Sequence, residues 1–167
     1  MEGSGRPGHF EGMATVVTRF FELLAPQRAY FGEKDFQQLC IVRHVVEQEG
    51  WQVEIVPCPI ARESDGLAMS SRNMRLSAEE RASAGEINQR MRPYLEELKL
   101  GHTAIARWQE KVAAELNTIP HVCVEYVIVC HSDTLQQAHE VPSQRPMRVF
   151  VAVKCGIVRL IDNYPLD

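Results

Sequence analysis

Residues 29–57 read AYFGEKDFQQLCIVRHVVEQEGWQVEIVP, and this stretch decides the fold. The apolar run Ala29–Phe31 predicts a buried strand that ends at Gly32. Asp35 and Gln38 form a capping-box pattern, which is typical of the start of a helix. The sequence therefore predicts a strand that is followed at once by a helix.

The apolar residues beyond this helix start recur at helical spacing and stop at Gly50. They are Leu39, Val42, Val45 and Val46. A second predicted strand follows, and its apolar residues are Val53, Ile55 and Val56. A strand, a helix and a second strand within about thirty residues indicate a right-handed parallel βαβ unit.

Another helix is predicted on the amino-terminal side of this unit, ending before Pro26. Its apolar residues recur at spacings of three and four, and they are Phe10, Met13, Val16, Val17, Phe20, Phe21 and Leu24. An apolar face this broad predicts a helix that is buried against the rest of its domain.

The pattern changes on the carboxyl side of the βαβ unit. Periodicity stops from Ala61 to Leu76, and a polar loop of this length is usually functional. A second capping box, Ser77 to Glu80, begins a helix, and a further helix and three apolar runs follow. The runs are Val122–Val129, Val149–Val153 and Ile157–Ile161. This change predicts two domains, residues 1–76 with a parallel sheet and residues 77–167 as a small α+β domain.

The composition is that of a globular protein. The 167 residues are 45% hydrophobic and carry a net charge of −4, so the chain buries a core and is not a strongly basic nucleic-acid binder. No apolar run is long enough to span a membrane and no secretory signal is evident, so we expect a cytoplasmic protein without a membrane partner. The five widely spaced cysteines are expected to be core residues.

The first candidate for chemistry is Gly32–Asp35, which follows the first strand of the βαβ unit. Ligands bind at the carboxyl ends of parallel strands, where helix amino termini offer free N–H groups, and Lys34 adds a cation. Phosphate would suit this position. The alternative is structural: Gly32 turns the chain, Asp35 caps the helix and Lys34 is solvated.

The second candidate is the polar loop from Arg62 to Asn73. Gly66 permits a tight turn, the hydroxyls of Ser70 and Ser71 can bind phosphate oxygens, and Arg72 offers a bidentate guanidinium. An ordinary loop that satisfies its own backbone is the alternative. Because both candidates follow strands of one βαβ unit, we expect a nucleotide site.

Two further residues have two interpretations each. His9, which follows Arg6 just before the first helix, is either a phosphate ligand or general acid, or a half-buried residue at the helix start. Gln38 is either a capping residue or a hydrogen-bond partner for a substrate hydroxyl or carboxylate.

Four blocks of the sequence resemble the pantothenate synthetases, the pantoate–β-alanine ligases. The blocks are Arg6–Phe10 (RPGHF), Phe31–Leu39 (FGEKDFQQL), Asp65–Asn73 (DGLAMSSRN) and Arg159–Asn163 (RLIDN). They occur in the family's order through essentially the whole chain. The resemblance implies that residues 1–76 are the carboxyl-terminal half of a Rossmann-like nucleotidyltransferase domain that binds ATP and pantoate.

The resemblance also implies an AMP-forming ligase. In this reaction the pantoate carboxylate attacks the α-phosphate of ATP to give pantoyl adenylate and pyrophosphate, and the amine of β-alanine then displaces AMP. Mg²⁺ accompanies the ATP, and a homodimer is implied.

The site residues follow from the matched positions. The ATP-binding residues that the resemblance implies are Gly32, Glu33, Lys34, Asp35, Ala61, Met69, Ser70, Ser71 and Arg72. Of these, the expected catalytic residues, which would stabilise phosphate charge, are Lys34, Ser70, Ser71 and Arg72. The expected pantoate ligands are Gln38, Arg6 and His9. The magnesium ligand stays open, with nearby carboxylates at Glu33, Asp35 and Asp65.

One departure from the family limits these expectations. The family has an amino-terminal Met-Gly-x-x-His-x-Gly-His segment that binds ATP phosphates, and this sequence does not contain it. We therefore expect a carboxyl-terminal portion of the enzyme, lacking the first strands of the sheet, with weak ATP binding and very slow turnover. The alternative is a non-catalytic module that pairs with itself or with a separate amino-terminal half.

Overall fold

The computed structural model describes residues 7–101, 103–141 and 144–166. The chain forms two compact units, Met1–Ile60 and Ala61–Asp167. The elements in chain order are α1 (His9–Leu24), β1 (Arg28–Gly32), α2 (Phe36–Gln48), β2 (Glu54–Cys58), α3 (Ala78–Lys99), α4 (Ile105–Leu116), β3 (Val122–His131), β4 (Met147–Cys155) and β5 (Val158–Pro165). The domain boundary after Leu76 stays a prediction, and residues 61–76 lie in the second compact unit.

The first unit contains the predicted βαβ unit, but the predicted burial of its first strand is wrong, because Tyr30 is 65% exposed and no residue of β1 is buried. Strands β1 and β2 pair in parallel, with Tyr30 opposite Val56, and α2 connects them. Leu39 and Val42 of α2 are buried, as their helical spacing predicts. At the start of the strand pair, Arg28 Nε donates to Glu54 Oε2 at 2.6 Å.

The capping box predicted at Asp35 is wrong. Asp35 precedes α2, but its side chain accepts no hydrogen bond from the first turn of the helix. A short 3₁₀ turn, Glu33–Asp35, runs directly into α2 and gives Asp35 a backbone φ of −95° and ψ of 57°. The 3₁₀ turn replaces the extended residue that a side-chain cap requires, so the four-residue pattern is misleading here.

The helix α1 is confirmed, but its predicted burial is wrong. It spans His9–Leu24 and none of its residues is buried. One face is partly covered, and there the Phe21 ring lies edge-on to Trp51 with centroids 5.7 Å apart. An adjacent face carries an exposed apolar stripe, defined here as the outer stripe, of Val16, Phe20, Leu23 and Leu24. The pattern identifies apolar residues correctly, but it does not identify what covers them.

The second unit is a small α+β domain around one apolar core. Helix α3 begins at the predicted capping box, where Ser77 Oγ accepts from Glu80 N and Glu80 Oε2 accepts from Ser77 N. Strands β3, β4 and β5 form an antiparallel sheet in that order. The central side chains of the core are Met91, Trp108, Leu116, Val129 and Val149. The α/β class, a parallel sheet followed by a small α+β unit, is confirmed.

The cysteines and the helices bear on two other expectations. All five cysteines are free thiols. Cys130 and Cys155 are buried, and burial raises the pKa of each thiol, whereas Cys123 on β3 is exposed and the expectation of a core position is wrong there. Of the helices in the described ranges, none is both long enough and apolar enough to cross a membrane.

Candidate functional site

The first candidate segment, Gly32–Asp35, joins β1 to α2. Gly32 has an ordinary extended backbone, with φ of −69° and ψ of 132°, and a Cβ placed there would meet no atom within 4 Å. Gly32 and Asp35 are exposed, whereas Glu33 and Lys34 are partly buried. The segment therefore lies at the carboxyl end of a parallel strand, as the sequence predicts. The structure adds that the space beside Gly32 is open.

The candidate pantoate residues of the first unit lie on two helices. Gln38 lies in the first turn of α2 and is partly buried. Its neighbour Gln37 is more deeply buried, at 8% exposure, and the sequence gives no sign of that difference. His9 is the first residue of α1, with its ring 5.3 Å from that of Phe10. Arg6 lies outside the described residues.

The second candidate segment folds as a small hairpin. Arg62 and Ala68 form an isolated antiparallel bridge. Glu63 N donates to Leu67 O at 2.8 Å, and Met69 N donates to Ala61 O at 2.9 Å. We call residues 61–69 the loop hairpin. Its hydrogen bonds fix the two candidate residues at its ends, Ala61 and Met69, next to each other.

Helix α3 supports the turn of the loop hairpin. Gly66 has φ of +91°, and a Cβ there would collide with the side-chain amide of Asn88. Asp65 Oδ2 accepts from Arg81 Nη1 at 2.5 Å, and Gly85 leaves room for that carboxylate. Hydrogen bonding to Arg81 lowers the pKa of Asp65, and desolvation opposes the shift only in part. Helix α3 thus contacts the turn through close packing at Gly66 and through the ion pair between Arg81 and Asp65.

Strand β5 supports the base of the loop hairpin. Arg62 pairs with Asp162 through two contacts, Nη1 to Oδ2 at 2.7 Å and Nη2 to Oδ1 at 3.0 Å. The guanidinium lies over the Tyr164 ring, 5.2 Å from its centroid, and Tyr164 Oη donates to Asp162 Oδ2 at 2.9 Å. Burial and the adjacent Asp162 carboxylate raise the pKa of Tyr164 well above its usual value. Burial disfavours the Arg62 cation, but its bonds to Asp162 prevail and raise its pKa.

The second segment continues from the loop hairpin through Met69–Arg72, which we call the tip. It is flanked by buried residues, Ala68 at 4% exposure and Asn73 at 8%. Asn73 Nδ2 donates to Ala68 O at 3.1 Å and closes the base of the tip. Met69 and Ser71 are exposed, while Ser70 and Arg72 are partly buried. Two of the four tip residues are therefore exposed, next to a base that is closed by the hydrogen bond of Asn73.

Two hydrogen bonds shape the tip itself. Ser70 Oγ accepts from Arg72 N at 3.3 Å, which begins the 3₁₀ turn Ser71–Arg75. Arg72 Nη1 lies 3.5 Å from the backbone carbonyl of Arg159 on β5. Ser70, Ser71 and Arg72 therefore place two hydroxyls and a guanidinium on consecutive residues. These groups are suited to bind the oxygens of a phosphate.

Carboxylates that are available to a metal ion are dispersed. In the parts of the chain that the structure describes, no group of three or more His, Cys, Asp and Glu side chains could hold a metal ion. Asp65, one of the three carboxylates considered above, is paired with Arg81. The described residues therefore do not form a protein-built metal centre.

Comparison with known proteins decides the family. The sequence model described as Pantoate-beta-alanine ligase matches residues 1–165. The chain belongs to the pantoate-beta-alanine ligase family. It is 47% identical over 165 residues to the pantothenate synthetase of Porphyromonas gingivalis strain ATCC 33277, covering 98% of this chain and 57% of that relative. It is 44% identical over 162 residues to that of Clostridium botulinum strain Kyoto, covering 97% and 57%.

Solved structures of the pantoate-beta-alanine ligase family share this fold. The pantothenate synthetase from Thermus thermophilus matches with a TM-score of 0.89 at 40% identity, over 99% of this chain and 59% of that one. The Francisella tularensis ligase, in complex with beta-gamma ATP and beta-alanine, matches with a TM-score of 0.75 at 30% identity, over 99% and 54%. The chain thus spans between half and two thirds of the length of these family members.

Within the family's fold, the sequence identified the exposed residues of the candidate site but not their supports. The ligand assignments of Gly32–Asp35, Gln38, Ala61 and the tip stay predictions. In the sequence, Arg62 lies in the polar loop and Asp162 lies in the closing block Arg159–Asn163. No local pattern signals their pairing, because they are separated by 100 positions in the sequence.

Proposed function

We propose that this chain carries part of the ATP-dependent ligation of pantoate and β-alanine to pantothenate. One observation carries the proposal: the tip, whose residues match a family block, places two hydroxyls and a guanidinium on three consecutive residues beside a base closed by Asn73. The family match and the relative in complex with beta-gamma ATP and beta-alanine support the substrates.

The proposed chemistry has two steps. An oxygen of the pantoate carboxylate forms a bond to the α-phosphorus of ATP, and the bond to the leaving pyrophosphate breaks. The β-alanine nitrogen then bonds to the acyl carbon of pantoyl adenylate, its proton passes to solvent, and the carbon–oxygen bond to AMP breaks. Both steps shift charge on phosphate oxygens, so fixed cations and correct positioning supply the rate without a covalent enzyme intermediate.

The residues of the first unit have proposed roles in both substrates. Lys34 would neutralise phosphate charge as the pentavalent centre develops, with Gly32, Glu33 and Asp35 as its ATP-binding neighbours. The open space beside Gly32 supports this role, because a ligand can approach the backbone there. Gln38 would hold pantoate, and the further candidates for that substrate are Arg6 and His9.

The residues of the second unit have proposed roles toward ATP alone. The hydroxyls of Ser70 and Ser71 and the Arg72 guanidinium would bind phosphate oxygens. Met69 and the backbone of Ala61 would contact the nucleotide; the hydrogen bond from Met69 N to Ala61 O at 2.9 Å keeps these two residues adjacent.

Mg²⁺ is proposed only as the companion of the ATP phosphates. Magnesium at nucleotide sites takes most of its ligands from phosphates and water, with one or two carboxylates from protein. The described residues hold no metal-binding cluster, so neither Glu33, Asp35 nor Asp65 is assigned to the ion.

The test is pantoate-dependent exchange of pyrophosphate into ATP. Lys34→Ala and Arg72→Ala each remove one proposed phosphate contact, and we expect exchange to fall about a hundredfold in each. Arg107→Ala is the control, because Arg107 is an exposed cation on α4 outside the proposed site. Exchange that persists in both test variants would overturn the assignment.

We also propose that the isolated chain turns over very slowly. It spans 57% of the length of the Porphyromonas gingivalis relative, so a whole family member has further residues that contribute to function. Rapid AMP release by this chain alone, at ordinary enzyme concentration and in the presence of both substrates, would contradict this. Calorimetry of ATP binding to Lys34→Ala, Arg72→Ala and Arg107→Ala tests the proposed phosphate contacts independently of turnover.

A second candidate function is favoured by the outer stripe of α1. Phe20 is 55% exposed and Leu23 is 65% exposed, on a helix whose other face already packs against α2. A helix that is apolar on two faces is normally covered on both. We propose that the outer stripe binds the part of a family polypeptide that this chain does not span, which makes the chain one half of a two-piece enzyme.

Co-expression tests this second function. The chain is purified with the unmatched portion of the Porphyromonas gingivalis relative, and a 1:1 complex with restored exchange activity is expected. Phe20→Glu should abolish the complex, while Glu22→Gln, an exposed change on the same helix, should not. Self-association of the chain without the added portion, or no complex at all, would contradict the proposal.

Two remaining properties follow from the family and are proposed on that basis. We expect the assembled enzyme to be a homodimer in the cytoplasm. Sedimentation of the assembled enzyme and fractionation of cells measure the two properties directly, and a monomer or a membrane-bound pool would contradict them.

A further inference from the structure

The loop hairpin is fixed at its base by one well-shielded ion pair. Arg62 and Asp162 retain only 25% and 10% side-chain exposure, respectively. The guanidinium makes a third hydrogen bond, from Nη1 to Gly66 O at 2.9 Å, on the hairpin's own turn. A single side chain therefore joins the turn of the hairpin to strand β5.

Asp162 is held as firmly as its partner. Its Oδ2 accepts from both Arg62 and Tyr164, and its Oδ1 accepts from Arg62 and from the backbone N–H of Asn163 at 2.8 Å. A carboxylate with four hydrogen bonds has little freedom to rotate. It forms a fixed point on β5 to which the hairpin is attached.

The attachment extends to the tip through backbone hydrogen bonds. Arg62 is bridged to Ala68, and Met69, the first residue of the tip, donates its N–H to Ala61, the residue before Arg62. A shift of Arg62 would therefore displace Met69 with it. Asn73 closes the far side of the tip independently of this ion pair.

We propose that Arg62 and Asp162 are positioning residues that hold the tip in the geometry it needs to bind ATP phosphate. The identity of the ligand, ATP, rests on the proposed function. The attachment of the hairpin to β5 does not depend on it. Neither side chain needs to touch ATP. Misplacement of a binding group by about 1 Å is enough to weaken binding or rate by up to about a hundredfold.

Three variants of the full chain test the attachment. Arg62→Met removes the charge and all three hydrogen bonds of the guanidinium. Arg62→Lys keeps the charge but cannot form the paired hydrogen bonds to the carboxylate. Asp162→Asn replaces one acceptor oxygen with an N–H donor that faces the guanidinium donors. Arg90→Ala is the matched control. It breaks the partly shielded ion pairs of Arg90 with Glu86 and Glu115, which lie outside the loop hairpin.

The first readout is amide hydrogen exchange without ATP. We expect exchange at Glu63, Gly66 and Met69, whose N–H groups bond within the hairpin, to rise about tenfold or more in Arg62→Met and Asp162→Asn. Arg62→Lys should lie between these variants and the wild type, and Arg90→Ala should match the wild type. Unchanged exchange in Arg62→Met and Asp162→Asn overturns the proposal.

The second readout is the affinity for ATP, measured by calorimetry. We expect Kd to rise about tenfold in Arg62→Met and Asp162→Asn, less in Arg62→Lys, and not in Arg90→Ala even where that change lowers the melting temperature. If amide hydrogen exchange in the hairpin is faster but the Kd for ATP is unchanged, the ion pair of Arg62 and Asp162 has only a structural role. This result overturns the positioning role. Absence of ATP binding by the wild type is the failure of the proposed function, and hydrogen exchange then decides the attachment alone.

Discussion

Asn73 donates its side-chain amide to the backbone carbonyl of Ala68 over 3.1 Å, and both residues are more than nine-tenths buried. This one contact joins the two ends of the four-residue tip, in which Met69 and Ser71 are exposed. The tip is therefore ordered by the residues that flank it, and the effects of the flanking residues are separable from those of the tip itself.

Replacing Asn73 should cost stability. Asn73→Ala removes the hydrogen bond and leaves the Ala68 carbonyl unpaired in a buried place, so we expect the free energy of unfolding to fall by about 1–3 kcal/mol. Urea denaturation measures the change. Met74→Ala, one residue on and 84% exposed, is the control and should stay within about 0.5 kcal/mol of the wild type. A loss in Asn73→Ala no larger than the control's would show that the contact does not hold the base.

Gly66 should not tolerate a side chain. Its backbone φ of +91° and the close approach of Asn88 both oppose a Cβ, and we expect Gly66→Ala to lower the free energy of unfolding by about 1–3 kcal/mol. The double variant Gly66→Ala with Asn88→Ala separates the two causes. The double variant should regain the part of the free energy of unfolding that is lost to the collision with Asn88. If it regains none, the whole loss is due to backbone strain at residue 66.

The ion pair between Asp65 and Arg81 predicts a pH dependence. Because Arg81 lowers the pKa of Asp65 in the folded state, the pair stabilises the protein above the pKa of an unfolded aspartate, about 3.9. This stabilisation is lost as the pH falls further, through the folded pKa. The free energy of unfolding of the wild type minus that of Asp65→Asn should thus be constant above about pH 5 and shrink in acid. In Arg81→Met the effect of Asp65→Asn should be smaller, because only the hydrogen bond from Leu67 N to Asp65 remains. Additive effects of the two changes would contradict a direct interaction.

The two faces of α1 should respond differently to truncation. Phe21 packs edge-on against Trp51, so Phe21→Ala should lower the free energy of unfolding by about 1–3 kcal/mol. Phe20 is 55% exposed, and Phe20→Ala should change it by less than about 0.5 kcal/mol in the isolated chain. Thermal or urea unfolding of the two variants side by side checks this. Equal losses would mean that the outer stripe is already covered in solution.

Local patterns predicted the elements of this fold well. The βαβ unit was readable because strand and helix periods switch within a short stretch, and the capping box at Ser77 because both partners lie within one turn. The same kind of pattern failed at Asp35, where a 3₁₀ turn takes the place of the cap. A capping box describes what a side chain is able to do, and the backbone before it decides whether it does so.

Contacts between segments that are distant in the sequence could not be predicted from local patterns. The apolar residues of α1 predicted a helix, but burial depends on a covering surface that periodicity does not encode. The exposed residues of the tip were identified as candidates by their chemistry, since hydroxyls and guanidinium suit phosphate. Their support by Asp162 was missed because a single charged residue, far along the chain, has no local signature.

The closed base of the tip has a consequence for engineering. The buried residues that hold the two ends of the tip, Ala68 and Asn73, lie outside residues 69–72, so substitutions within the tip leave this contact in place. Exchanging those four positions for others of equal length leaves the apolar interior unrepacked. Changes in this short surface sequence therefore alter the chemistry of the tip without removing any side chain of the apolar core.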